Sequence, residues 1–407
     1  MRLDAAHRAW KSGAESLAPV AAVKPDATVL MPSTLEAVRR GGPSSAAQGR
    51  MGADVVGTMR DAGLFRLLQP RRYGGGEVLP HQFFAAQAEL ARTDMSAGWL
   101  LGVMGVLSFH LALFSELAQD EVWLTNPDAL MASSYMQTGR ATPSDGGYIL
   151  SGSWHFASGA DHADWFMLGA TAALENGTTD RFVALVPRAE ATIRQEWNAT
   201  GLQATGSQGV TVSGTFVPQH RVHGIRERFE GLSPGFMVNT APLYRVPLPQ
   251  MLFRVISTPA VGALHGMLDA VLAHNAARMG VTGVAASNDP VIQLTVGEAA
   301  ALIDELTVVL RSSLDRLMAY AHGHQQASLK ERMIYRLQAT TVVDRCCRMA
   351  ARLFQATGTS GLCASKPFGR YLADIQAARQ HAANQFEGHG RALGAALLGS
   401  TDEDTLL

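Results

Sequence analysis

Along this chain of 407 residues the apolar positions change period twice. From Gln48 to Leu68 they recur at helical spacing, with Met51, Val55, Met59 and Ala62 on one stripe that stops at Gly63. After the loop PRRYGGGE the same spacing returns from His81 to Ala91, through WLLGVMGVLSFHLALF (99–114), and from Ser115 to Trp123. Between Leu130 and Val222 it gives way to short runs of period two, separated by PSDGG, ENGTTD and SQG. That pattern predicts a small antiparallel β-domain. Beyond Pro249 four long, Ala/Leu-rich amphipathic stretches (251–281, 289–322, 328–357 and 369–398) predict a four-helix bundle. The expected fold is α+β: a partly mobile extension over 1–45, a helical domain over 46–128, a β-domain and loop over 129–245, a bundle over 246–400 and a tail over 401–407. The extension is expected from Pro19, Pro25, Pro32, Pro43 and the run GGPSS.

The middle of the β-region reads YILSGSWHFASGADHADW (148–165). Trp154, Phe156 and Ser158 stand two residues apart, a spacing that in a strand puts all three side chains on one face. Two aromatic rings and a hydroxyl, followed by Gly159, suit a planar heteroaromatic ligand whose edge needs one hydrogen bond. Periodicity taken alone favours a plainer outcome, a core strand with a polar end.

Composition narrows the classes. Lys and Arg number 34 against 35 Asp and Glu, a net charge of −1, so no basic face points to nucleic acid. Cys346, Cys347 and Cys363 have neither a disulfide framework nor metal-ligand spacing, which fits a reducing cytoplasm. The N-terminus MRLDAAHRAWKSGAES has no signal-peptide run. The stretch from Trp99 to Phe114 is short for a membrane span and contains Gly102, Gly105, Ser108 and His110, so a buried helix is expected there and no membrane partner. No strand–GxGxxG–helix unit marks a nicotinamide site. Asp161-His162 lacks a third metal ligand, and no metal is expected.

The order helices, β-domain, bundle, together with LAQDEVW (117–123), GYILSGSWHFASGADHADW (147–165), GLQATGSQGVTVSGTFVP (201–218) and DIQAARQHAAN (374–384), resembles the acyl-CoA dehydrogenase fold. More closely it resembles that fold's flavin-dependent monooxygenase branch, over roughly residues 50 to 400. These are oxygenase components of two-component aromatic hydroxylases, such as 4-hydroxyphenylacetate 3-hydroxylase, secosteroid-phenol hydroxylase and dibenzothiophene monooxygenase. The resemblance implies reduced FMN or FAD and O2 as cofactors, oxygen carried as the C4a-hydroperoxide, and hydroxylation of a small phenolic or heteroaromatic substrate. It also implies a separate NAD(P)H-dependent flavin reductase and a homotetramer.

The same resemblance implies roles for particular residues. Ser158 would meet the flavin N5 edge, with Trp154 and Phe156 lining the ring; the plainer reading of Ser158 is a strand-end cap. Thr205 and Ser207 flank Gly206 in a loop whose hydroxyls and open backbone suit phosphate or ring carbonyls, or an ordinary turn. Ser134, with Ser133, is a further flavin contact. His381, on the last helix, would stand beside C4a, where a group titrating near neutrality can donate or accept. His110 interrupts an apolar helix and must be satisfied; it resembles a histidine that bonds the substrate phenol, and a core histidine fits as well. Arg278 matches an arginine that binds flavin phosphates. Gly358 and Thr359, in GTSG (358–361), match a segment that reaches a neighbouring subunit's flavin.

Two departures stand out. Ala373 precedes Asp374 where the family often has arginine, leaving Arg370 one turn earlier as the substitute. Ala382 occupies the position of the commonest dehydrogenase base, a glutamate eight residues after that aspartate. The alternatives to an oxygenase are therefore an acyl-CoA dehydrogenase or oxidase with a displaced base, and a non-catalytic flavin-binding protein of the same fold.

Overall fold

The computed structural model describes residues 30–399 except 175, 176, 280–282 and 284. Most of the expected extension, the tail 401–407 and part of the ENGTTD turn lie outside the described residues.

Five helices open the described chain: α1 (Pro32–Gln48), α2 (Ala53–Asp61), α3 (Pro80–Thr93), α4 (Met95–Leu111) and α5 (Glu116–Trp123). Helix α1 overturns part of the expected extension. Its buried positions, Thr34, Val38, Gly42 and Ser45, follow helical spacing but are mostly small or polar, so no apolar stripe announces them. Pro32 sits in the first turn, where its missing N–H costs nothing, and Pro43 is tolerated inside.

Strands β1 (Met131–Ser144), β2 (Gly147–Ala157), β3 (Trp165–Ala173), β4 (Thr179–Pro187), β5 (Thr192–Arg194), β6 (Gln208–Pro218) and β7 (Val222–Gly224) form one sheet in the order β5-β6-β2-β1-β3-β4-β7. The expected all-antiparallel domain needs correction, because β1 and β3 pair in parallel. Their connection passes through β2, so the chain returns to the sheet running the same way. Trp154, Leu150, Phe166, Phe182 and Val210 fill a core of their own on one face of the sheet.

After a short α6 (Ile225–Glu230) come α7 (Leu248–Ala276), α8 (Pro290–His322), α9 (Leu329–Thr340), α10 (Val342–Ala356), α11 (Phe368–Arg379) and α12 (Phe386–Leu397). Two predicted bundle helices are thus each broken in two. The first break falls at Thr341, whose hydroxyl bonds the Leu337 and Gln338 carbonyls at 3.0 and 3.1 Å within a β-branched run. The second, between α11 and α12, contains His381.

Helix α7 is the axis of the molecule and packs on α3, α4, α10 and α11. Among the described residues it alone is long and apolar enough to cross a membrane, and 78% of its apolar window is buried in the fold. Its contact with α3 depends on two glycines one turn apart. A Cβ on Gly262 would lie 2.1 Å from the Ala88 carbonyl oxygen, and one on Gly266 would lie 2.0 Å from that of Arg92. Gly262→Ala or Gly266→Ala must push the helices apart, and each is expected to destabilise by about 1–3 kcal/mol, read as a lower urea midpoint; an unchanged midpoint would show that the contact is slack.

Candidate active site

The predicted single face of Trp154, Phe156 and Ser158 does not form, and a bulge explains why. Trp154 pairs with Val210 and Ala157 with Gln208, so β2 spends three steps where β6 takes two. The extra residue reverses the alternation. Trp154 turns inward, fully buried, and its Nε1–H donates to the Gly169 carbonyl at 2.8 Å. It is sheet core and takes the opposite face from Phe156. Phe156 turns outward, 65% exposed, at φ +62°. A left-handed backbone at a bulky residue costs about 1–3 kcal/mol and gathers at functional positions. Its only ring neighbours among the described residues are His155 and Trp197, the latter edge-on at 6.4 Å.

Ser158 follows the bulge. It is half-buried and receives the Trp99 indole N–H at 3.2 Å. Its hydroxyl lies 2.7 Å from that of Ser207, which lies 2.7 Å from that of Thr205; Thr205 in turn donates to the Leu202 carbonyl at 2.8 Å. The loop also meets β2 through the Gly159 N–H on the Thr205 carbonyl at 2.9 Å. Thr205 and Ser207 are almost fully buried, so they support Ser158 from beneath.

The loop is held from the bundle. Leu202, at φ +53°, donates its N–H to Asp374 Oδ1 at 2.6 Å. Gly201 lies so close to α11 that a Cβ would stand 2.2 Å from the Ala373 carbonyl oxygen. Arg370 does not form the expected ion pair with Asp374: its guanidinium sits 3.4 Å from Asp94, the residue that caps α4 by accepting the Ala97 N–H at 3.2 Å. Burial, then the nearby Asp94 charge, pushes the Asp374 carboxyl up to about 7.

His381 is not on a helix. Its backbone is extended (φ −64°, ψ 133°), and its Nδ1 accepts the Ala383 N–H at 3.1 Å. Asn384 Nδ2 donates to the Ala378 carbonyl at 2.8 Å and reaches that of Ile256 at 3.5 Å, replacing backbone bonds lost at the break. The accepting Nδ1 leaves the proton on Nε2. The imidazole meets the Trp99 indole edge-to-face at 5.9 Å. Surrounding protein pushes its pKa down to about 4, although the residue is exposed to solvent. Water offsets some of the shift, and the result that stands is a neutral imidazole at pH 7.

The remaining candidates lie elsewhere. His110 is fully buried, with Nδ1 2.7 Å from the Tyr135 hydroxyl and Nε2 3.0 Å from His223 Nδ1; His223 continues to Ser233 at 3.1 Å. Both ring nitrogens of His110 are engaged inside the fold, the geometry of a satisfied core histidine. Ser134 donates to the His155 carbonyl at 2.9 Å and serves the sheet. Arg278 donates to Asn275 Oδ1 at 2.9 Å and the Ala356 carbonyl at 3.1 Å, and it lies over Gly358, while Thr359 is exposed. That group stands about 30 Å along α7 from Ile256, and so from His381, at 1.5 Å per residue. Trp99 and Tyr135 carried no signal in the sequence, since both read as members of apolar runs.

The residues that do converge fit a flavin. A half-buried hydroxyl with a spare lone pair and a neutral histidine N–H meet on one indole, with an exposed aromatic ring two residues before the hydroxyl in the chain, and this set meets the needs of a planar, polar-edged heterocycle. The buried support of this cleft makes a prediction. Because Asp374 ionises near 3.8 when unfolded and near 7 when folded, the folded state holds the extra proton between those values. Stability therefore falls as pH rises from about 4 to about 7 and levels off above. Asp374→Asn keeps the acceptor for Leu202 and is expected to remove that decline in denaturant titrations at a series of pH values; an identical decline in the variant would exonerate Asp374.

Comparison with known proteins identifies the family. The acyl-CoA dehydrogenase N-terminal domain family matches residues 41–126, and the C-terminal domain family matches 254–386. The chain is 34% identical over 340 residues to the flavin-dependent monooxygenase oxygenase subunit HsaA of Rhodococcus jostii, covering 83% of this chain and 89% of that one. It is 32% identical over 362 residues to the oxygenase component of an FADH2-dependent resorcinol hydroxylase of Rhizobium sp., covering 86% and 88%. The crystal structure of 3-HSA hydroxylase from Rhodococcus sp. RHA1 superposes with a TM-score of 0.88 at 31% identity, over 92% of this chain and 97% of that one. With both halves of the fold and this extent of identity in agreement, the chain belongs to the flavin-dependent monooxygenases of the acyl-CoA dehydrogenase fold, as an oxygenase component.

Proposed function

We propose that this oxygenase takes reduced FMN or FAD from a separate NAD(P)H-dependent reductase and inserts one atom of O2 into a small phenolic or heteroaromatic substrate. The observation that carries the reading is the meeting of Ser158 and His381 on one indole, Trp99, beside the exposed Phe156. Reduced flavin, when bound, activates O2 and supplies the transferred oxygen. The chain's own groups bind and orient. Ser158 accepts at the N5 edge, Phe156 packs on the ring, and His381 offers its Nε2 proton to oxygen on its side of Trp99. His110 acts through Tyr135, whose hydroxyl holds the position a substrate phenol would take at Nδ1. Arg278, Gly358 and Thr359 stand too far from His381 to serve the same ring. We assign them to flavin held by another copy, consistent with a homotetramer. Free thiols at Cys346, Cys347 and Cys363 suit a reducing cytoplasm.

The dehydrogenase alternative meets a specific obstacle, because exposed Ala382 offers only a methyl group where a base would be needed. The test is to mix the protein anaerobically with chemically reduced FMN or FAD, admit ¹⁸O-labelled dioxygen with a panel of phenols and heteroaromatics, and weigh the products. One labelled atom in a hydroxylated product is expected. Ser158→Ala should raise the share of reduced flavin lost as hydrogen peroxide by about tenfold, the worth of one hydrogen bond, and His381→Ala should slow hydroxylation by about a hundredfold. Peroxide alone with every substrate, together with flavin reduction by an acyl-CoA, would replace the hydroxylase with the dehydrogenase.

A further inference from the structure

The hydroxyl chain beneath Ser158 runs in one direction only. A carbonyl oxygen can only accept, so the Thr205 proton goes to Leu202 at 2.8 Å. Thr205 Oγ1 then accepts from Ser207, and Ser207 accepts from Ser158, each at 2.7 Å. The Trp99 indole, which can only donate, fills one lone pair of Ser158 at 3.2 Å. The single Ser158 proton is therefore directed inward. What Ser158 presents to an incoming group is a lone pair.

We infer that this chain makes Ser158 a one-way acceptor and so sets which oxidation state of flavin the cleft prefers. The inference rests on the flavin reading above and adds roles for Thr205 and Ser207. A reduced isoalloxazine carries a hydrogen on N5 and can donate to Ser158. An oxidised ring presents an N5 lone pair, which would face the Ser158 lone pair and leave two partly buried acceptors unmet. The direction persists because its origin is enclosed: Thr205 is 1% and Ser207 6% exposed, and Leu202 is clamped by Asp374 at 2.6 Å. Thr205 and Ser207 are positioning residues that act through Ser158. They retain reduced flavin until oxygen has reacted and favour release of the oxidised product, which the reductase can use again.

The experiment compares dissociation constants for oxidised flavin, by fluorescence quenching, and for dithionite-reduced flavin, by anaerobic titration, with both FMN and FAD. In the wild-type protein the reduced form binds more tightly. In Thr205→Val, Ser207 loses its acceptor and turns its proton toward Ser158, which can then point its own outward. Ser207→Ala frees the Ser158 proton directly. Each variant is expected to lower the ratio of oxidised to reduced dissociation constants by about tenfold. That change is equivalent to lowering the two-electron potential of bound flavin by about 30 mV. Thr205→Ser, which keeps the hydroxyl, should restore the wild-type ratio. A ratio unchanged within about twofold in both variants, well below one hydrogen bond's worth, with reduced flavin still bound and the circular dichroism intact, would overturn the inference and leave the flavin reading standing. A wild-type protein that binds neither form would remove that reading and the inference together.

Discussion

The hydrogen bond from the Leu202 N–H to buried Asp374, at 2.6 Å, joins the loop beneath Ser158 to the bundle. It holds Leu202 in a left-handed conformation that a leucine does not favour, and it thereby fixes the carbonyl that orients Thr205. Beside it, Arg370 contacts Asp94, the cap of the helix that carries Trp99. Gly42 of α1 closes over the same pair, with no room for a Cβ against Asp94 Oδ2. One polar cluster thus joins α1, α4, the 201–207 loop and α11. The raised pKa of Asp374 reflects the desolvation that such a junction requires.

Around this junction the site is made of irregularities. A regular β2 would have put Phe156 on the face of Trp154; the bulge turns it outward at a local conformational cost. A continuous last helix would have left His381 with helical backbone geometry and no fixed tautomer. The break lets its Nδ1 take the Ala383 N–H and leaves Nε2–H as the outward donor. Each interruption replaces lost backbone bonds with side-chain ones, so the polar groups are reassigned within the fold.

Much of this was legible in the sequence. The helix–sheet–bundle order follows from apolar period, and Ser158, His381 and the 205–207 loop follow from family motifs around them. Where pattern and structure differ, the cause is physical. Periodicity does not announce helix α1, because apart from Val38 its buried face is made of Thr, Gly and Ser. Alternation alone puts Trp154 on the face of Phe156 and Ser158, because a bulge has no signature in a run of alternating residues. For His110 the pattern leaves both a substrate contact and a core histidine open, because it cannot reveal Tyr135 and His223 on the two ring nitrogens.

The sequence by itself determined the class of fold and the chemistry available, since side-chain period and residue type are properties of neighbouring positions. Only the tertiary structure decided which hydroxyl donates to which, which face Phe156 takes and what holds Leu202. Those outcomes depend on groups far apart in the chain, such as Trp99 with Ser158 and Leu202 with Asp374, whose meeting is settled by packing.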